Sequence, residues 1–148
     1  MMPSQKTDYM VIGRFRNGAN IRRLIAAIRQ SGKTCYDFTA KPADPKNPEA
    51  SFEDQMAVLE SHPDFLNDPV HGDHFKRDLA GLKNAETVIL LLPAGASAHM
   101  EAGIAHGLGK RLVLIGAPEK PETLYYIFDE YYRKTADFLE KEFAVSPP

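Results

Sequence analysis

The spacing of two short apolar runs around a helix-sized segment constrains the fold of this chain more than any other feature. The first run, Thr87 to Leu92, ends in a loop of Pro, Gly, Ala and Ser, and the second run is Leu112 to Ile115. Such runs are typical of strands buried on both faces of a parallel sheet and joined by a crossover helix. Glu101 falls in the first turn of the predicted helix, so we expect its carboxylate at the carboxyl edge of the sheet, where open α/β folds bind ligands. A lone carboxylate there suggests attack on, or stabilisation of, an electron-poor carbon.

Strands and helices alternate along the whole chain. Apolar runs predict strands at 9–13, 35–39, 87–92, 111–116 and 131–134. Helical spacing and capping residues predict helices at 20–30, from 51 to before 62, and at 73–84, 98–108, 122–130 and 135–143. The alternation predicts an α/β protein, a doubly wound, flavodoxin-like three-layer sandwich with a five-stranded parallel sheet in the order 2-1-3-4-5. We expect residues 1–148 to form one domain.

Local signals set several helix ends. Gly32 is expected to close the first helix, since glycine accepts the left-handed conformation found there. Ser51, with Asp54 three residues later, is typical of a helix N-cap. Thr135 is the predicted cap of the last helix, and Phe75 is predicted to face inward. Residues 62–72 hold two prolines and are expected to be irregular.

Composition excludes several classes of protein. The 148 residues are 43% hydrophobic, which suits one domain with a real core. No apolar run approaches the roughly 20 residues that cross a bilayer, and Met1 to Lys6 lacks the apolar core of a signal peptide. A net charge of −2 argues against a nucleic-acid polymer as partner. Cys35 has no second cysteine to pair with, which fits a reducing compartment, and we expect a cytoplasmic protein.

Two nucleotide-binding motifs are excluded. The segment Gly103 to Lys110 ends in Gly-Lys, but its spacing is wrong for a P-loop and it leads from a helix into a strand. No G-x-G-x-x-G follows the first strand, so a dinucleotide site of the usual kind is not expected. The sequence therefore predicts no cofactor.

Metal binding is the next possibility. The segment His71 to His74 holds two histidines and an aspartate, and His99 with Glu101 resembles half of a zinc-deaminase motif. The P-C-x-x-C half of that motif is missing. A polar loop exposed to water explains His71 and His74 better than zinc ligation does. We predict no metal site.

The predicted topology places two loops across a crevice. The first and third strands flank the switch point of the sheet, so the loops Gly13 to Gly18 and Pro93 to Met100 would face one another. We therefore expect Glu101 to lie opposite Arg14 and Arg16.

Several side chains admit both a functional and a structural interpretation. His99 could orient or protonate a leaving group, or it could cap a helix through a side-chain hydrogen bond. On spacing alone, Asp78 is a solvated carboxylate. Four tyrosines near the C-terminus could stack on a base, although aromatic residues in this position more often belong to a core or a dimer interface. These are Tyr125, Tyr126, Tyr131 and Tyr132.

Four short segments stand out together because of their order along the chain. They are His62-Pro63-Asp64-Phe65-Leu66-Asn67-Asp68, Asp78-Leu79-Ala80-Gly81-Leu82-Lys83-Asn84, Met100-Glu101-Ala102-Gly103-Ile104-Ala105 and Gly109-Lys110. Taken in this order, they resemble the nucleoside 2-deoxyribosyltransferase family and the related N-glycosidases that hydrolyse 2′-deoxynucleoside 5′-monophosphates. The resemblance covers about Tyr9 to Pro118, and the ordered co-occurrence of short motifs is what carries it.

The resemblance implies both a mechanism and an assembly. The glutamate matching Glu101 attacks the anomeric carbon of a nucleoside, the base leaves, and a second base or water accepts the sugar from the glycosyl-enzyme ester. The aspartate matching Asp78 helps to position or protonate groups around the sugar and base. The loop Gly13 to Gly18 looks like the 5′-phosphate loop of the monophosphate hydrolases. The family also implies a homodimer or higher homo-oligomer.

The chain departs from the family pattern near the nucleophile. An aspartate used in base recognition, six residues before the glutamate, is Gly95 here. The glycines expected four and two residues before it are Ser97 and His99. The tyrosine expected three residues before Gly13 is Met10. These departures put base exchange in question and leave Glu101 in place.

We therefore predict cleavage of the N-glycosidic bond of a (deoxy)nucleoside or its 5′-monophosphate, with the sugar passed to another base or to water. The alternative is a non-catalytic module on the same fold that binds or senses nucleotides. A different glycosidic substrate, such as a dinucleotide or a modified nucleotide, fits the same residues. The predicted catalytic residues are Glu101 and Asp78. The predicted substrate-binding residues are Gly13, Arg14, Phe15, Arg16, Gly18, Gly95, Ser97, His99 and Met100.

Overall fold

The computed structural model describes residues 5–144, which form a five-stranded sheet covered by helices on both faces. Every strand pair is parallel, and the strand order is β2-β1-β3-β4-β5, as predicted. The strands are β1 (Thr7–Ile12), β2 (Cys35–Tyr36), β3 (Ala85–Leu91), β4 (Arg111–Ile115) and β5 (Glu130–Tyr132). The segment Met1 to Lys6 begins outside the described residues.

Five α-helices connect and follow the strands. They are α1 (Gly18–Gln30), α2 (Phe52–Glu60), α3 (Pro69–Asn84), α4 (Ala96–Gly107) and α5 (Thr135–Phe143). Short 3-10 turns occupy Phe15–Asn17, Phe38–Ala40, Phe65–Asn67 and Thr123–Ile127. Within residues 5–144 no helix combines the length and apolarity needed to cross a membrane.

The sheet divides the apolar core in two, which confirms the predicted three layers. Along β1, Tyr9 and Val11 pack on the face covered by α1 and α5, whereas Met10 and Ile12 pack on the face covered by α3 and α4. Strands β3 and β4 are buried on both faces, which is why their sequences read as unbroken apolar runs. The carboxyl ends of β1, β3 and β4 meet at one edge.

Several predicted boundaries are confirmed. Ser51 caps α2 by accepting a hydrogen bond from the Asp54 N–H at 3.1 Å. Gly32 follows the end of α1 with a φ of 87°, as expected for a glycine that closes a helix. The last helix spans the predicted residues, although Lys134 rather than Thr135 precedes its first turn and no side chain caps it.

Other predictions about the elements were wrong. Strand β2 ends at Tyr36, because Asp37 caps a 3-10 turn by accepting from the Thr39 N–H. Helix α3 begins at Pro69, within the segment predicted to be irregular, since the Asp68 side chain caps it and proline suits its first turn. Phe75 lies on the outer face of α3, and 60% of its surface is exposed.

Two further elements in the C-terminal half of the chain differ from the prediction. Residues Thr123–Ile127 form a 3-10 turn instead of a longer helix, and β5 begins directly after it at Glu130. Helix α4 begins at Ala96, earlier than predicted, so Glu101 lies in its second turn rather than its first. The distance from the positive end of the helix removes most of the dipole stabilisation expected for a first-turn carboxylate.

Candidate active site

Glu101 lies on the side of α4 that faces α3. Its carboxyl group is largely withdrawn from water, and this burial, together with the charge of Asp78, raises its pKa to about 8. A carboxyl group in this environment is mostly protonated at neutral pH, because both burial and a like charge disfavour its anion. Strongly perturbed carboxyl groups at the carboxyl edge of a parallel sheet are candidates for function.

Asp78 is not the solvated carboxylate that its spacing suggests. It is half-buried on α3, and burial raises its pKa, although the positive charges of His74 and Arg77 and an interaction with Tyr36 oppose the rise. The prediction from spacing was wrong because the face of α3 that carries Asp78 is covered by α4 and β2. The structure therefore brings together the two carboxyl groups that the family resemblance paired.

Tyr36 is a third member of this cluster that the sequence did not single out. It ends β2, and burial and the neighbouring Asp78 raise the pKa of its phenol, with a smaller effect from Glu101. Gly81 lies three residues after Asp78 on the same face of α3, and a Cβ there would lie 3.0 Å from the Tyr36 ring. The glycine lets α3 approach the sheet closely enough to place Asp78 beside Tyr36. The sequence signal that could have identified Tyr36 was its place in the predicted strand 35–39, which lies next to β1 in the predicted sheet.

This three-residue cluster suits proton-coupled chemistry. Because the charge of Asp78 raises the pKa of Glu101, the protonation of the two carboxyl groups is coupled. One group can then act as a nucleophile or base while the other supplies or holds a proton. The phenol of Tyr36 can donate a hydrogen bond to either carboxylate.

Arg16 and Phe15 lie against α2 rather than over Glu101. The Arg16 guanidinium pairs with Glu60 at 2.6 Å and with Glu53 at 3.4 Å. The Phe15 ring packs on Phe38, with the ring centroids 5.0 Å apart. In the described residues Arg16 is therefore engaged by carboxylates of α2, and the expected position opposite Glu101 is not seen.

Arg14 does meet the opposite loop, as the topology predicts. A Cβ on Gly95 would lie 3.4 Å from Nη2 of Arg14, so the guanidinium rests over the N-terminus of α4. Arg14 is exposed, and its guanidinium makes no hydrogen bond or ion pair with any residue in 5–144. It is free to contact an anionic group at this end of α4.

The two glycines of the first loop have packing roles. A Cβ on Gly13 would lie 2.9 Å from the Ile21 side chain and 3.2 Å from the Leu91 carbonyl oxygen, so only glycine fits where the chain leaves β1. Gly18 is buried as the first residue of α1. These contacts shape the loop whether or not its amides also bind a ligand.

Residues before Glu101 on α4 point in other directions. Residues two apart on a helix differ by about 200°, so His99 lies on the side away from Glu101. The Nδ1 atom of His99 is 2.7 Å from the Gly95 carbonyl oxygen, and its Nε2 is 2.8 Å from the Tyr125 hydroxyl. His99 thus bonds to a carbonyl group at the end of α4, which agrees with the interpretation of His99 as a side-chain cap. Ser97 and Met100 are exposed.

A cavity of about 560 Å³ lies on the His99 side of α4, between the loops that follow β3 and β4. Arg14, His99, Tyr125 and Lys120 supply polar groups to its wall, and Leu92 to Ala94 supply apolar ones. The cavity does not include Glu101 or Asp78. The cavity and the pair of Glu101 and Asp78 therefore lie on different sides of α4.

His71 and His74 were wrongly expected in an exposed loop. Both lie on α3 and are half-buried. His71 contacts the Asp68 carboxylate and the Leu59 carbonyl oxygen, and His74 contacts the Ala43 carbonyl oxygen. Across residues 5–144, no three His, Cys, Asp or Glu side chains are grouped so that they could hold a metal ion.

The four C-terminal tyrosines divide into two pairs. Tyr125 stacks on Phe128, and Tyr132 packs against Phe138 on the other face of the sheet, so both contribute to the core. Tyr126 is 90% exposed and Tyr131 is 55% exposed. The four rings do not form one base-stacking surface, because Tyr132 packs on the opposite face of the sheet from Tyr125.

Comparison with known proteins places this geometry in a wider context. No protein-family model matches the sequence, and no curated protein matches it either. Among solved structures, the chain is similar to a 2-deoxyribosyltransferase from Bacillus psychrosaccharolyticus, described as a biocatalyst for nucleoside synthesis. The TM-score is 0.62 at 15% sequence identity, over 95% of this chain and 98% of that one. At this identity the likeness establishes the architecture, and it agrees with the family that the sequence motifs resemble. The chain therefore shares the fold of a 2-deoxyribosyltransferase.

Proposed function

We propose that this protein cleaves the N-glycosidic bond of a (deoxy)nucleoside or its 5′-monophosphate, with Glu101 as the nucleophile. The observation that carries the proposal is the withdrawn carboxyl pair of Glu101 and Asp78 at the carboxyl edge of the sheet. The sequence resemblance and the structural likeness to a 2-deoxyribosyltransferase support the same chemistry.

The first step forms a glycosyl ester. The Glu101 carboxylate attacks the anomeric carbon, the bond from that carbon to the base nitrogen breaks, and its electron pair leaves with the base. The proton that Glu101 has passed to Asp78 then neutralises the leaving base. In the second step a base nitrogen or water attacks the same carbon, gives up its proton to Asp78 and releases the carboxylate, so configuration is retained overall.

Asp78 and Tyr36 support Glu101 in different ways. Because Asp78 raises the pKa of Glu101, it makes the carboxylate a stronger base and a better nucleophile once the proton has left. Asp78 can accept that proton or bind a sugar hydroxyl. Tyr36 can donate a hydrogen bond to whichever carboxylate carries charge.

Arg14 is the candidate contact for the 5′ end of the substrate. It lies at the N-terminus of α4 with its guanidinium unpaired among residues 5–144, whereas Arg16 would first have to leave Glu60. Guanidinium groups bind phosphate well because they offer paired donors. A 5′-monophosphate would therefore compete with inorganic phosphate, and a nucleoside would not.

A homo-oligomer is part of the proposal. Met100, Ile104 and Leu108 follow one another at four-residue spacing on the outer face of α4 and are 64%, 37% and 43% exposed. An apolar stripe of this kind, next to the proposed site, suits contact with a second copy of the chain.

The test is base release by chromatography from a panel of nucleosides and 5′-monophosphates, with and without an acceptor base. Release without acceptor indicates hydrolysis, and exchange that requires it indicates transfer. Glu101→Gln should lower kcat by at least about a thousandfold, roughly 4 kcal/mol of barrier, since it removes the covalent route. Glu86→Gln, at an exposed site on β3, is the matched control. Wild-type activity in Glu101→Gln would refute the mechanism.

The pH dependence gives a second readout. The attacking group must be ionised, and the pKa of Glu101 is raised to about 8. We expect kcat/KM to rise with pH and to level off above about 8. A flat profile between pH 5 and pH 9 would argue against Glu101 as the attacking group.

A non-catalytic nucleotide sensor is the second candidate. It is favoured by one observation, that the raised pKa leaves Glu101 mostly uncharged at neutral pH when no substrate is bound. A sensor would show ligand-dependent thermal stabilisation and no base release across the whole panel.

A further inference from the structure

We propose that the cavity on the His99 side of α4 binds a nucleobase, and that the His99–Tyr125 pair selects bases that carry an exocyclic amino group. This inference goes beyond the proposed function, because the cavity lies on the side of α4 away from Glu101 and does not include Glu101 or Asp78. Its test measures binding alone, so its outcome does not depend on turnover.

The size and lining of the cavity suit a flat heterocycle. Its volume of about 560 Å³ falls within the range of small-molecule sites. Leu92, Pro93 and Ala94 form an apolar wall, and Arg14 and Tyr125 supply hydrogen-bonding groups. Arg14 also lies over the N-terminus of α4, so its guanidinium borders both this cavity and the loop that precedes the helix.

Two hydrogen bonds determine where the His99 protons lie. The Gly95 carbonyl oxygen can only accept, so the Nδ1 atom 2.7 Å away must carry a proton and donate it. In the neutral imidazole Nε2 then has no proton and can only accept. The Tyr125 hydroxyl, 2.8 Å from Nε2, must therefore donate its single proton to His99.

The direction of this second bond sets what Tyr125 offers to a ligand. With its proton committed to His99, the Tyr125 oxygen has only lone pairs left and acts as an acceptor. Arg14 has no acceptor atoms and acts as a donor. Tyr125 thus presents an acceptor and Arg14 a donor, and Glu119, Lys120 and Glu122 complete the polar lining of the cavity.

Amino-bearing bases match this pattern. Adenine and cytosine place an amino donor beside a ring nitrogen that accepts, whereas hypoxanthine and uracil place a carbonyl acceptor beside a ring N–H. An oxo group facing Tyr125 would set acceptor against acceptor and leave both unpaired in a partly closed site. His99 acts here as a positioning residue, because it orients the hydroxyl without needing to touch the base.

The test is equilibrium binding of free bases to the wild-type protein by titration calorimetry, comparing adenine with hypoxanthine and cytosine with uracil. We expect each amino-bearing base to bind about tenfold more tightly than its oxo counterpart. Tyr125→Phe should lose most of this preference, since it removes the acceptor. Tyr126→Phe is the matched control, because that hydroxyl is on an exposed ring outside the cavity.

His99→Phe has a different expected signature. Without Nε2 the Tyr125 hydroxyl is free to rotate and can donate or accept, so both members of a pair should bind with the preference reduced to about twofold or less. A merely structural role for His99 would weaken both bases equally and keep their ratio. If His99→Phe does not fold, Tyr125→Phe still decides the question.

The outcomes separate this inference from the proposed function. Equal binding of amino and oxo bases to the wild type, no binding of any base, or an unchanged ratio in Tyr125→Phe would overturn the inference. Activity that survives Glu101→Gln would overturn the proposed function and leave the binding result intact.

Discussion

At the scale of the residue, burial decides what Glu101 can do. A glutamate in the first turn of a helix would be stabilised as an anion by the backbone amides. Glu101 lies in the second turn, faces Asp78 and is withdrawn from water, so its pKa rises to about 8 instead of falling. A carboxyl group held in this way destabilises the fold when it ionises.

The free energy of unfolding of Glu101→Gln should show how much the buried carboxyl group destabilises the fold. The folded pKa of about 8 lies above the ordinary value of 4.5, so the wild type loses stability as pH rises from about 4.5 to about 8. The glutamine variant carries no such group and should be more stable at pH 8, by on the order of 1–3 kcal/mol. The two proteins should unfold alike at pH 4.

Urea unfolding at pH 4 and pH 8 measures this difference. Glu86→Gln, on the exposed side of β3, should show no gain at pH 8. A Glu101→Gln variant less stable than wild type at pH 8 would contradict the burial of the carboxyl group as the source of the shift.

At the scale of the element, Asp68 determines where α3 starts and how α2 is attached to it. Its carboxylate accepts a hydrogen bond from the backbone N–H of His71 at 3.2 Å and also lies 2.6 Å from Nδ1 of the His71 ring. The other ring nitrogen of His71 lies 3.0 Å from the Leu59 carbonyl oxygen on α2. Since α3 carries Asp78, this cap also supports the candidate active site.

Two substitutions at Asp68 separate the cap from the charge. Asp68→Ala removes both and should cost about 1–2 kcal/mol of unfolding free energy. Asp68→Asn keeps a capping oxygen and should cost less. The hydrogen bond from His71 lowers the pKa of Asp68, so the charge contribution is present above about pH 4 and is lost as pH falls below it. If Asp68→Asn is as stable as the wild type at pH 6, the charge contributes nothing, and if the two variants are equally stable, the capping oxygen contributes nothing.

At the scale of the whole molecule, Arg111 joins the C-terminal elements to the centre of the sheet. It begins β4, pairs with Glu130 of β5 at 2.6 Å, and pairs with Glu142 of α5 through two nitrogens at 2.6 and 2.9 Å. Glu142 also accepts from the Tyr9 hydroxyl on β1. These contacts tie four elements together at the amino edge of the sheet, opposite the candidate site.

Arg111→Met should lower the free energy of unfolding by about 2 kcal/mol, because it leaves two half-buried carboxylates without the positive charge that pairs with them. Arg111 lowers the pKa of Glu142, so this stabilisation exists above about pH 4.5 and is lost as pH falls further. Arg133→Met, at an exposed arginine nearby, is the control. Urea unfolding at pH 7 and pH 3 should show the loss at pH 7 and little of it at pH 3.

Local patterns in the sequence determined the architecture. The unbroken apolar runs of β3 and β4, the helical spacing between them and the cap at Ser51 each depend on residues close in the chain, so the element order and the strand order 2-1-3-4-5 could be predicted. The wrong predictions concern the end of a strand and the direction of a side chain, which depend on the contacts of single residues. Tyr36 ends β2 because Asp37 begins a turn, and Phe75 faces outward although it is apolar.

The surroundings of each site residue depended on the tertiary structure. The sequence pointed to Glu101, and the family resemblance added Asp78, but only the packing of α3 on α4 and β2 shows that both are withdrawn from water beside Tyr36. The pairing of Arg16 with α2 and of His99 with Tyr125 joins residues 26 or more positions apart. Hydrogen bonds and pKa values depend on distances across the fold, and no periodicity along the chain encodes those distances.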